Sequence, residues 1–202
     1  MLDRQALDSS ISDRDLIART AEGDRRAFEL LIERHAAAVL RLATAASDPS
    51  TAEDAMQQTF LSAYRYAATF RGDASVRTWL LTIARNTTYR LRGKTQREEP
   101  VEEPLMALGA DAGWGSDDPE AIAIAAERRD ALRDALATLS PDDQEVLILR
   151  DLEGLRASEA AEVIGVGERA LKSRLHRARL RLAALLRGFE VDEHGAPEGG
   201  QS

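Results

Sequence analysis

Apolar side chains recur at the three- and four-residue steps of a helix along most of this chain, and the pattern lapses in one internal stretch. Between Lys94 and about Ala125 the chain contains REEPVEEPLMALGADAGWGSDDPE, a run of Glu, Asp, Pro and Gly with no period. Pro and Gly interrupt helices and like charges push a chain apart, so this stretch reads as a flexible, extended, acidic linker. A chain of 202 residues divided there is expected to form two small helical domains rather than one large one. The expected division is a flexible extension over residues 1–12, a first domain over 13–96, the linker over 97–124, a second domain over 125–187, and a disordered acidic tail over 188–202. Trp114 is out of place in such a linker and is expected to pack on a domain or a partner.

The rest of the composition agrees with an all-α fold. Ala, Leu, Arg and Glu dominate, and a hydrophobic fraction of 44% can support two cores. There is no cysteine, which removes disulfides, thiolate catalysis and Cys-based zinc sites. No uninterrupted apolar run approaches the ~18–20 residues needed to span a bilayer, and the first ten residues hold no apolar core of signal-peptide length. The expectation is a cytoplasmic protein with no membrane insertion.

The net charge of −8 would count against a polyanionic partner if it were evenly spread. It is not. Residues 1–95 carry 14 basic and 12 acidic groups, whereas residues 96–130 carry 3 and 10. Residues 131–187 carry 10 and 9, and the tail carries 4 acids and no base. Within the two ordered blocks the charge is polarised again. Arg65 to Arg97 holds eight basic residues against Asp73 alone, and Arg169 to Arg187 holds seven against none. Two basic patches, one per block, fit two contact points on a polyanion; charge alone serves equally for two solvated helix faces.

Helix signals place these patches. In the first block Leu16, Ile17, Ala27, Phe28, Leu31, Ile32, Val39, Leu40 and Leu42 keep helical spacing, with a break at Gly23. Asp48-Pro49 reads as a turn, and Thr51 with Asp54 as a capping box opening the next helix. Ser75 is placed to cap a helix from Val76 that Gly93 ends. Trp79 falls in register with Val76, Leu80 and Ile83, which favours core packing over base stacking, and Phe60, Tyr64 and Tyr66 are expected to be partly core. In the second block Ser140-Pro141 with Asp143 is a strong start signal. ASEAAEVIG, a tight connection, and RALKSRLHRARLRLAALLRG then match a helix-turn-helix. Along the last helix Leu171, Leu175, Ala178, Leu182 and Leu185 form one apolar stripe. Arg169, Lys172, Ser173 and His176 fall opposite it. A helix buried on one side and basic on the other suits the DNA major groove.

Four segments in order, AEDAMQQTFLSAYR, FRGDASVRTWLLTIARN, LSPDDQEVLILRDLEGL and AAEVIG…LKSRLHRARLRL, resemble the extracytoplasmic-function sigma factors, the small two-domain promoter-recognition subunits of bacterial RNA polymerase. The resemblance covers about residues 13–96 and 125–187. It implies that Asp54, Gln57, Gln58 and Leu61 dock on the clamp helices of the polymerase's largest subunit. It places Phe70, Arg71, Gly72 and Asp73 in a loop that captures a flipped base of the −10 element. It places Asn86 at a base-contacting position, and Arg77, Arg85 and Arg90 along the strand's backbone. Basic residues, aromatics and amides meet the phosphates, ring faces and unpaired edges of a melted strand. Glu168, Arg169, Lys172, Ser173, His176 and Arg177 are then expected on the −35 duplex. Glu168 suits either a cytosine N4 or the helix N-terminus. Arg156 stands where the family usually has a capping Ser or Thr, which leaves that helix start less secure, with Ser158 as a substitute cap. The resemblance further implies an anti-sigma factor as partner. No cofactor, metal or small-molecule substrate is expected, and no enzyme: His35, His176 and His194 are scattered, and neither paired carboxylates nor a P-loop stands out. The rival readings are a stand-alone helix-turn-helix repressor, which leaves residues 65–97 without a task, and a helical adaptor that binds no nucleic acid.

Overall fold

The computed structural model describes residues 10–95 and 119–194, with side chains described over 10–94 and 128–187. Among the described residues the fold is all helix, in two units. The first unit holds α1 (Asp13–Ala21), α2 (Arg25–Thr44), α3 (Pro49–Tyr66), a 3₁₀ turn (Ala67–Thr69) and α4 (Val76–Thr95). The second holds α5 (Pro119–Thr138), α6 (Pro141–Leu147) running into a π-helical turn (Ile148–Leu152), α7 (Ala157–Ile164) and α8 (Glu168–His194). Residues 1–9, 96–118 and 195–202 lie outside the described residues, and with them most of the expected linker over 97–124, including Trp114.

Several helices start where a short polar side chain can take an unpaired amide. Ser12, Asp24, Asp48 and Ser140 accept from the amides of Asp15, Ala27, Thr51 and Asp143 respectively. The start of α3 corrects the sequence reading. Asp48 caps it and Pro49 is its first residue, so Thr51 and Asp54 stand inside the helix rather than forming its cap. Ser75 caps α4 as expected, its hydroxyl accepting from Thr78 N at 3.0 Å. Gly93 does not end α4, which continues to Thr95. Two further boundaries move. α5 begins at Pro119, inside the stretch expected to be linker, and α8 passes Gly188 and runs to His194, inside the expected tail. One helical glycine costs only about 1 kcal/mol, too little to stop a helix already propagating.

Leu16, Leu31, Leu42, Leu80 and Leu81 are fully buried in the first unit, and Val146, Leu149, Val163 and Leu171 in the second. Each is worth about 1.5–3 kcal/mol relative to exposure. The two units touch. α4 packs against α7, α2 meets the π turn, and Ala45 and Ile148 share a buried apolar contact beside Leu136.

Candidate nucleic-acid interface

The second unit presents one face of its last helix outward. Gly165 closes α7 in the left-handed region (φ 76°), its amide donating to Ala161 O at 2.9 Å, and three residues later α8 begins at Glu168. Arg156 has no acceptor to offer as a cap; instead the Glu159 carboxylate turns back and accepts from Arg156 N at 2.8 Å. Ser158 is therefore not the cap, and the helix keeps its expected start with half a capping box. Along α8, Leu171, Leu175 and Ala178 are buried, and Leu182 and Leu185 partly so. Glu168, Arg169, Lys172, Ser173, His176 and Arg177 are all exposed. The arginines flanking the stripe are held by acids of the same unit: Arg174 by Asp142 at 3.4 Å, Arg181 by Asp143 at 2.6 Å, and Arg179 by Asp151. The −35 set thus stands on one open face while its neighbours are tied down.

In the first unit the −10 set is brought together but only half open. Gly72 takes φ 78°, which suits glycine, and a Cβ there would lie 2.6 Å from the Arg14 guanidinium. Phe70 is half-buried with its ring 5.3 Å from that of Trp79, so Trp79 serves as the wall behind the loop. Arg71, Asp73 and Asn86 are exposed. Arg90 donates to the Gln58 side chain at 2.8 Å. Arg85 stacks over Tyr89 at 4.6 Å and donates to Glu145 of the second unit at 3.1 Å. Arg77 pairs with Glu153 of the second unit, and Glu153 also binds Arg41 at 2.6 Å. Both glutamate side chains are fully enclosed, at 0% exposure. Burial pushes the Glu145 carboxyl above its ordinary range despite the opposing pull of Arg85. Burial together with the Glu145 charge pushes the Tyr89 phenol up to about 12.

The docking set lies on one exposed strip of α3. Asp54 and Gln57 are exposed, Leu61 is 56% exposed, and Gln58 is half-buried beneath Arg90. Of the aromatics expected to be partly core, Phe60 is buried and Tyr64 touches Phe28 at 5.0 Å. Tyr66, at 57% exposure, is not core; it lies at the helix end, beyond the packed face.

Sequence reasoning missed Arg41, Glu145 and Glu153. One signal was available: Glu145 sits one turn before Ile148 and Leu149, on the apolar side of its helix, where an acid needs a cation to pair with.

Comparison with known proteins places both units. The family model for sigma-70 region 2 matches residues 31–98 and that for sigma-70 region 4 matches residues 129–182. The ECF RNA polymerase sigma factor SigM of Mycobacterium tuberculosis (strain ATCC 25618 / H37Rv) is 37% identical over 178 residues, covering 87% of this chain and 85% of that one. The ECF RNA polymerase sigma-E factor of Haemophilus influenzae is 31% identical, covering 84% of this chain and 92% of that one. The chain belongs to the extracytoplasmic-function sigma factors. Two solved members resemble this sigma factor in fold. CnrH in complex with the cytosolic domain of CnrY has a TM-score of 0.59 at 28% identity, covering 87% of this chain and 97% of that one. RpoE of Bartonella quintana, in complex with the anti-sigma factor NepR, has a TM-score of 0.62 at 29% identity, covering 79% and 96%. A stand-alone repressor would leave the region 2 match without a purpose. Among the described residues no helix is long and apolar enough to cross a membrane.

Proposed function

We propose that this sigma factor, not itself an enzyme, works in the cytoplasm and brings bacterial RNA polymerase to promoters by reading one element as duplex and another as a single strand. The Lys172, Ser173, His176 and Arg177 face of α8, with Glu168 and Arg169 at its start, reads −35 base edges in the major groove. The Phe70–Asp73 loop holds one unstacked base of the −10 strand, Asn86 reads an edge, and Arg77, Arg85 and Arg90 follow the phosphates. Stacking is worth about 1–3 kcal/mol per base, comparable to the cost of unpairing one nucleotide, so strand capture needs no nucleotide hydrolysis. Asp54, Gln57, Gln58 and Leu61 dock on the clamp helices of the polymerase's largest subunit. The solved relatives bound to CnrY and NepR support an anti-sigma partner here too.

The observation that carries this reading is the α8 face from Arg169 to Arg177, exposed and basic while Leu171, Leu175 and Ala178 on the opposite side are buried. The test is reconstitution with core polymerase on a library of promoter fragments. Enriched start sites should share two spaced motifs. Arg177→Ala and Asn86→Ala should each lower initiation roughly tenfold, as expected for one lost base contact. Initiation unchanged in both variants would overturn the assignment of these faces.

A further inference from the structure

The Phe70–Asp73 loop borders two clefts. One, of about 240 Å³, is edged by Asp73 and, from α7, by Glu162, and carboxylates there repel a phosphate. The other, of about 350 Å³, opens between the loop and α1. Ile17, Ala18 and Ala21 form its wall on α1, and Phe70 and Gly72 stand on the loop side.

Two guanidinium groups border this larger cleft, those of Arg14 and Arg71. Both residues are exposed, and neither has a hydrogen-bond or ion-pair partner among the described residues. Glu22, the one acid in the lining, pairs with neither; it lies eight residues beyond Arg14, about 12 Å along the helix.

The backbone under Arg14 is firmly placed. Its neighbour Asp13 accepts from Arg34 at 2.7 Å and lies 2.8 Å from His35 Nε2, both on α2. Leu16 and Ile17 are buried. The Arg14 guanidinium rests against Gly72, where a Cβ would come within 2.6 Å of it. Holding a long side chain there costs rotamer freedom, and no carboxylate among the described residues offsets that cost. An apolar wall, an aromatic ring and two unpaired guanidinium groups suit one nucleotide. The wall and ring take the base, and the guanidinium groups take a phosphate.

We infer that α1 carries part of the strand-binding site: Arg14, with Arg71, holds the phosphate beside the base captured by the Phe70 loop, and that base lies in the cleft between the loop and α1. This rests on the proposed −10 reading of the loop. It adds to that reading a helix outside the stretch matched to sigma-70 region 2, which begins at residue 31.

The test uses the full chain reconstituted with core polymerase. Its DNA is a forked oligonucleotide, duplex over the −35 motif and single-stranded over the −10 motif enriched in the transcription experiment. Wild type, Arg14→Gln, Arg14→Lys and Phe70→Ala are compared by fluorescence anisotropy across a salt series, with circular dichroism to establish that each variant folds. A second set of oligonucleotides carries an uncharged methylphosphonate at one −10 position at a time. Arg14→Gln is expected to bind about tenfold more weakly, as for one lost charge-assisted contact. It should also flatten the plot of log affinity against log salt by about 0.7. Arg14→Lys keeps the charge and should keep the wild-type slope. One methylphosphonate should weaken wild type and leave Arg14→Gln unaffected, which locates the phosphate. An Arg14→Gln affinity equal to wild type overturns the inference, as does one that falls with unchanged slope and a wild-type response to every methylphosphonate. If Phe70→Ala weakens binding in that case, the −10 reading of the loop stands without α1. If neither Phe70→Ala nor Arg14→Gln weakens binding, the −10 assignment itself falls, and the inference with it.

Discussion

Asp13 sits at the start of α1 beneath two partners on α2, His35 Nε2 at 2.8 Å and Arg34 at 2.7 Å. The hydrogen bond from His35, then that from Arg34, holds its carboxyl down at about 2, against burial that pushes the other way. A carboxyl whose folded value lies below its unfolded one adds stability that is complete above about pH 4 and vanishes as pH falls towards 2. Solvent still reaches 30% of the side chain, which screens the interaction. Asp13→Asn is expected to cost about 1 kcal/mol at pH 7, and the gap between the two proteins should close below pH 3 in urea melts followed by circular dichroism. A gap that persists at pH 2 would mean that the loss is one of packing. At this scale the sequence was legible in part. Ser75 and Ser140 could be read as caps because a hydroxyl before a helical run has one obvious use. Asp13 could not, since its partners lie 21 and 22 residues away.

Helices were the most legible objects, and their ends the least. Periodicity reports which side of a helix is apolar, and the stripe Leu171, Leu175, Ala178 lies buried as expected. It does not report where pairing of amides stops, which is why α4 and α8 overrun their glycines and α3 starts earlier than its apparent capping box. α7 offers a test of capping. Its start depends on Glu159 alone, whose carboxyl is held below its usual range first by the Arg156 amide. Arg156→Ser adds a hydroxyl for the unpaired amide at the third helical position. Thermal melts should show stabilisation of about 0.5–1 kcal/mol; a loss of stability would mean that the Arg156 guanidinium contributes more against Glu159 than the cap returns.

Across the whole molecule, the division into two helical units was legible from one lapse of periodicity. Their mutual contact was not, because the decisive pair, Arg41 and Glu153, lies 112 residues apart and both residues look like ordinary surface charges. The two faces proposed for DNA differ in exposure. Of the −10 set, Arg77 and Arg85 are paired with Glu153 and Glu145 of the second unit, whereas the −35 set is exposed, so Arg41→Glu should leave affinity for −35 duplex within about twofold while it changes binding of the −10 strand. Titrations of both DNAs at one salt concentration check this, and a parallel change in both would mean a global effect of charge.

Gln58 carries a separate consequence. Its amide oxygen is where the guanidinium of Arg90 rests, on the strip of α3 proposed for docking. A partner that takes that amide for itself would turn Arg90 loose towards solvent, on the helix proposed to read the −10 strand. On the proposed roles of these two sets, one side-chain hydrogen bond joins the docking strip to the strand-reading helix, and Gln58→Ala should free Arg90 without touching the rest of either set.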